Sequence, residues 1–139
     1  MTGIEVTPAV VTINGKQYHA NPCTIESTML GYEDHGIASG TVFVKGDHWG
    51  VGLGGYCLDT YDRTVKERVP TVAMGLWVAA VLKCVGVRSW EALKGKQVHA
   101  LFDTRYSLGS TGKGIASADL SRALVFDDLF ASVNDTVPA

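Results

Sequence analysis

Disulfide chemistry is the first thing this chain lacks. Its three cysteines, Cys23, Cys57 and Cys84, are odd in number and form no CxxC pair. That spacing excludes a disulfide framework and a zinc site built from separated cysteine pairs, and it leaves buried free thiols in a reducing compartment as the reading. Long apolar runs are also missing: the longest, Val72 to Leu82, falls well short of the roughly 20 residues that cross a bilayer. The opening "MTGIEVTPAVVTING" has neither the basic block nor the apolar block of a secretory leader. A soluble, cytoplasmic protein with no membrane partner is expected. Charge of one sign is absent too, since 12 Lys and Arg stand against 14 Asp and Glu for a net charge of -2. No nucleic-acid polymer is expected as partner, although a few local basic groups suffice for a small anion.

Enough remains for one folded domain. The chain has 139 residues, 46% of them hydrophobic and 19% charged, which supports a core without metal or disulfide staples. Residues 1–22 read as an N-terminal hairpin extension, because Asn14-Gly15 between two apolar segments suits a tight turn. Residues 23–60 read as an antiparallel strand meander. In its first strand Ile25, Ser27 and Met29 alternate with Glu26, Thr28 and Leu30, Gly46-Asp47 is a turn, and Tyr56-Cys57-Leu58-Asp59 continues the glycine-rich strand. Residues 69–95 carry the helices. Pro70 begins one, with Thr71 in its first turn, and it runs apolar on nearly every side to a Gly86 cap; Ser89 caps a short one ending near Gly95. Residues 96–139 hold a strand from Lys96 to Asp103, expected to be the last long one, then a Gly/Ser-rich loop and a C-terminal element, helix or strand.

The expected fold is α+β, a mainly antiparallel sheet packed against one long and one short helix. A helix apolar all round must be covered all round, and one sheet covers one face, so a homo-oligomer is expected.

Several motifs resemble chemistry. Glu33-Asp34-His35 suggests an acid-base or metal cluster, yet adjacent residues of an extended chain point to opposite faces, and Gly31 and Gly36 bracket a turn that Asp34 can cap. His19, His48 and His99 are scattered, and neither a G-x-S-x-G elbow nor an HExxH helix is present. No catalytic residue, metal ligand or cofactor is assigned. "GVGLGG", Gly50 to Gly55, matches G-x-G-x-x-G by letter but opens no helix, which excludes a dinucleotide fold. Its glycines at 50, 52 and 54 share one face, with Trp49, Val51 and Leu53 on the other. That bare face either packs the apolar helix or offers a platform to a flat ligand. "GSTGKG", Gly109 to Gly114, is not a Walker loop, but with Arg105, Tyr106 and Lys113 it joins anion-binding and aromatic groups; the alternative is a plain surface loop. "YDRTVKER" adds Arg63, Lys66 and Arg68, either as phosphate forks or as a solvated linker.

Taken in order, "STMLGYEDHGI", "GVGLGGYCLD", the charged "YDRTVKER", an apolar helix and "VGVRSWEALKGK" resemble a small bacteriophage family, the Thoeris anti-defence proteins, from Ile25 to Val98. The resemblance implies a homo-oligomeric sponge in the host bacterial cytoplasm that sequesters a cyclic ADP-ribose-type or cyclic nucleotide immune signal without cleaving it. The C-terminal third departs from that family's pattern: "GIASADLSRALVFDDLF" lacks the histidine and tryptophan expected there. Arg63, Arg105 and Lys113 are therefore assigned to ligand phosphates, and Tyr106 or Trp49 to a base, on their chemistry alone. Two other readings compete: a small metal-dependent hydrolase or phosphodiesterase centred on Asp34 and His35 with His48 nearby, and a protein-binding inhibitor of a host factor.

Overall fold

The computed structural model describes residues 9–32, 36–55, 57–103 and 111–136. Strands β1 (Ala9–Ile13) and β2 (Lys16–Tyr32) close on Asn14-Gly15, both at positive φ (51° and 81°), the backbone a two-residue hairpin turn demands. β2 runs on for 17 residues, so Asn21-Pro22 lies within the strand instead of ending a hairpin. Proline is tolerated there because of how β2 is paired. Strand β7 (Gln97–Phe102) takes one edge through His19–Thr24, while β1 and β3 (Ala38–Gly46) share the other. β1 is described up to Ala9 opposite Ala20 and β3 begins opposite Thr24, so among the described residues no strand pairs with Asn21–Cys23 on that edge and the missing N–H of Pro22 breaks no ladder bond there.

β3 turns back into β4 (Trp49–Gly55) through Asp47-His48, one residue later than the expected Gly46-Asp47 turn. With β8 (Gly114–Ser117) and β9 (Ala123–Val125) the strands form one antiparallel sheet in the order β4-β3-β2-β7-β8-β9, with β1 beside β2. A smaller ribbon pairs β5 (Asp59–Asp62) with β6 (Glu67–Pro70). The expected linker is thus a hairpin, and the chain bends at Cys57 (φ 63°) where a continuing strand was expected. Asp59 anchors the ribbon. Its Oδ1 accepts from Arg68 Nη2 at 2.6 Å and Nε at 3.0 Å, and its Oδ2 accepts from the Ala38 amide at 3.2 Å.

Helix α1 (Val72–Val85) follows, with Pro70 ending β6 rather than opening the helix. The Thr71 hydroxyl caps it by accepting from the Ala73 amide, and Gly86 ends it at φ 89°. At 1.5 Å per residue its 14 residues span about 21 Å, short of the roughly 30 Å of a bilayer's hydrocarbon. Ala73, Trp77, Val81 and Cys84 are its buried stripe. The expected second helix after Ser89 is a single 3-10 turn, Trp90–Leu93, and Ser89 makes no side-chain cap bond. The undecided C-terminal segment is both things at once, β9 and then α2 (Phe126–Thr136).

Cross-strand register sorts the sheet residues. Ile25, Val42, Val44, Leu53, Val98, Ala100, Phe102 and Ile115 face α1 and build the main core with Trp77. Between Ile25 and Ser27 the register shifts by a bulge at Glu26. Ser27 and Met29 therefore share a face with Phe43 and Thr41, opposite to Ile25, which corrects the alternation read from sequence. The glycine face is corrected as well. Gly50, Gly52 and Gly54 pair with Lys45, Phe43 and Thr41 on the face away from α1, so they do not receive the helix. Gly40 and Gly55 do: a β-carbon at Gly40 would lie 2.6 Å from Trp77 Nε1, and one at Gly55 3.0 Å from Trp77 Cδ2. Phe126 and Phe130 of α2 close on the same indole at 5.1 Å and 6.0 Å between ring centroids. On the far face a smaller cluster of Tyr18, Ala20, Leu101, Ala116 and Val125 packs with Val11 and Ile13 of β1.

Candidate functional site

A groove of about 650 Å³ lies beside the Asn21–Cys23 stretch of β2. Its floor follows from the pairing: Lys45, Thr24 and Gln97 lie across from one another on β3, β2 and β7, and Pro22 and His99 form the next row, with Ala116 of β8 buried beyond them, all away from α1. Gly46 at the end of β3, Asp47 in the turn after it, the bulged Glu26 and Ala118 rim it. A second depression of about 360 Å³, lined by Lys96, Asp119 and Arg122, shares Gln97 and Ala118 with the first. Register between four strands brings these residues together, and that is why reading along the chain missed them. The Gln97/His99 spacing was the one available signal.

His99 Nδ1 lies 3.0 Å from the Ser117 carbonyl oxygen. A carbonyl only accepts, so Nδ1 carries the proton and Nε2 of the neutral ring is an acceptor. Cys23 also borders the groove, which raises the question of a Cys-His nucleophile. Two observations answer it. Cys23 pairs opposite Val98 and so faces the core, whereas His99 faces away, and burial pushes the Cys23 thiol up to about 12. A thiol held neutral and turned from its base is structural. Burial likewise pushes Cys84 up to about 11.

The carboxylates with displaced pKa are structural too. The Arg68 hydrogen bond, the leading cause, holds Asp59 below the ordinary range. Asp119 is held well below it by the Ser121 hydroxyl and amide and by Ser117, all within the turn between β8 and β9. Among the described residues no group of three or more His, Cys, Asp or Glu could hold a metal.

Of the residues singled out in sequence, Trp49 is half-buried on the α1 side of β4, edge-on to Phe102 at 6.0 Å. Lys113 leads into β8, its amide donating to the Leu101 carbonyl, and Gly112 before it lies against Leu53. Arg63 is exposed at the tip of the β5–β6 ribbon, in a different sheet. Arg105 and Tyr106 lie outside the described residues, as do Glu33, Asp34 and His35. His48 is exposed in the β3–β4 turn, 3.3 Å from Asp47.

Fold and groove define an α+β protein whose sheet, among the described residues, is covered on one face and partly open on the other. Comparison with protein-family models, with curated proteins and with solved structures finds no match for this chain.

Proposed function

We propose that this protein binds a small cyclic ADP-ribose-type or cyclic nucleotide signal and holds it without converting it, as the phage anti-defence resemblance implies. The observation that supports holding over converting is the disposition of reactive groups beside the groove. Cys23 is neutral and faces the core, Asp119 is bound up in turn bonds, and the groove offers hydrogen-bonding side chains. In this reading Arg63, Arg105 and Lys113 neutralise phosphates, and Tyr106 or Trp49 stacks on a base.

Self-association belongs to the same reading. The outer stripe of α1 exposes Val72 by 57% and Leu76 by 40%, with Gly75 and Ala79 beside them, an apolar surface that a second copy would cover. Light scattering after size exclusion tests it, and a monomer at micromolar concentration would remove it.

The test of function is a thermal-shift screen against cyclic ADP-ribose isomers and cyclic oligonucleotides. A ligand well above its dissociation constant raises stability by RT ln(1 + [L]/Kd). The mixture is then heated to unfold the protein, and the released molecule is analysed. Intact ligand is the expected outcome; an altered one would sink the sequestration reading.

A further inference from the structure

The C-terminal half of β2 is paired on one edge only. β7 holds the other edge as far as Thr24, and Ile25 exchanges backbone hydrogen bonds with Gly95 and Lys96, while β3 runs alongside to Tyr32. At the start of β3, Ala38 turns its backbone away from β2: its carbonyl accepts from the Leu58 amide and its amide donates to Asp59 Oδ2. Tyr32 and Ala38 are therefore a non-hydrogen-bonded pair, and the antiparallel alternation sends the N–H and C=O of Tyr32, Leu30 and Thr28 outward, away from β3. Among the described residues no protein group takes them. The side chains of the same residues lie on the α1 side of the sheet, with Leu30 41% and Tyr32 70% exposed. Thr28–Tyr32 holds no charge and no proline, the devices that keep a sheet edge from pairing. The outer strands of the sheet offer less, since β9 has three residues and four of the seven in β4 are glycine.

We propose that this edge pairs with the same edge of a second copy of the chain, β2 against β2, antiparallel about a two-fold axis at Leu30. Unpaired backbone groups repeating every second residue fit an extended strand and neither a helix nor a small molecule. The axis at Leu30 sets Leu30 opposite its counterpart and Thr28 opposite the Tyr32 of the second copy. Each such pair exchanges two N–H···O=C bonds, so every outward group of Thr28, Leu30 and Tyr32 is satisfied in both copies. An axis at Met29 would set Tyr32 against Glu26 at the bulge, and one at Gly31 would leave Thr28 beyond the strand end. At Leu30 the exposed leucines meet, each Tyr32 ring lies beside a threonine, Met29 passes over Gly31 on the far face, and no like charges are opposed. This contact adds to the association proposed above through the outer stripe of α1 and does not depend on it.

Cysteine trapping of the full chain tests the pairing, in a Cys57→Ser background because Cys57 is the exposed thiol of the three. Leu30→Cys places two thiols across the axis with Cα atoms about 5.5 Å apart, within reach of a disulfide. Ser27→Cys places them about 20 Å apart. With oxidised glutathione, Leu30→Cys is expected to give at least about tenfold more covalent dimer on a non-reducing gel than Ser27→Cys. No dimer from Leu30→Cys, or equal yields from the two positions, would overturn the proposal. Leu76→Glu, which charges the outer stripe of α1, separates the two contacts. If trapping at Leu30 persists in Leu76→Glu and light scattering shows no change in mass, the edge contact stands and the α1 contact fails. If Leu76→Glu is monomeric and trapping is lost with it, association runs through α1 and the edge contact fails.

Discussion

The two faces of the sheet are made from the same strands and serve opposite ends. On the α1 side the residues interlock. Trp77, Leu93, Ala100 and Phe102 have no exposure, and glycines at 40 and 55 are spent on letting one indole approach the backbone. On the other side β1 covers only the part above Leu101, and the rest carries Lys45, Thr24, Gln97 and a glycine stripe. Where the strands lack side chains, the open face has gained access and the covered face has lost nothing. Stability is expected to reside on one side and recognition on the other, and substitutions can break that division.

The largest effect belongs to Trp77→Ala. The indole is buried between β3, β4 and the rings of Phe126 and Phe130, so its removal leaves a cavity that rigid strands and two helices cannot close. A loss of about 3–5 kcal/mol is expected in urea unfolding. Gly40→Val attacks the same contact by overfilling and costs about 1–3 kcal/mol. A mild loss in both would mean that the covered face is not the stabilising one.

The next effect lies at the anchor of the ribbon. Asp59 has its pKa depressed by Arg68, so its contribution is present above the unfolded carboxyl value and is lost as pH falls through the folded one. Asp59→Asn lowers the melting temperature at neutral pH and flattens its fall below about pH 4. An unchanged acid limb would assign the acid transition to other groups.

Alkali separates the faces in a different way. Cys23 and Cys84 both point into the core from the covered side, and burial raises both thiols. A raised thiol pKa keeps the native state neutral, so the stability it represents is whole below about pH 9 and drains away as pH climbs through about 11 to 12. Cys23→Ala makes the urea midpoint less sensitive to pH over that window. Equal alkaline sensitivity with and without the thiol would place the titrating group elsewhere.

How much of this was legible depends on how local each signal is. The Asn14-Gly15 turn, the α1 apolar run and the Gly86 cap are set by neighbours in sequence, and they were readable. The Glu26 bulge was not, because period-two alternation looks intact on either side of it and only the pairing with β3 reveals the extra residue. The β5–β6 ribbon hid inside a charged segment because Arg63–Lys66 resembles a linker and the strand residues around it are few. The glycine stripe was assigned to one face correctly, but nothing along the chain says which face a helix will choose. The groove was invisible for the same reason, since Lys45, Thr24 and Gln97 become neighbours only once β3, β2 and β7 are in register.

The smallest expected effect is the sharpest check on the division. Phe43 is the large apolar side chain of the open face, 42% exposed, and it leans over Gly52, where a β-carbon would lie 3.3 Å from its ring. If that face is open in solution, Phe43→Ser removes only the partly buried portion of one ring, and stability falls by about 1 kcal/mol at every protein concentration. The mirror-image position one residue along, Val44, is 3% exposed on the covered side, and Val44→Ser costs several times more because a hydroxyl enters the core without a partner. Urea midpoints for the two variants, measured across a range of protein concentrations, give the comparison. A large loss at Phe43 that grows on dilution would mean that a second copy covers this face, and the groove beside it would then lie at a subunit boundary.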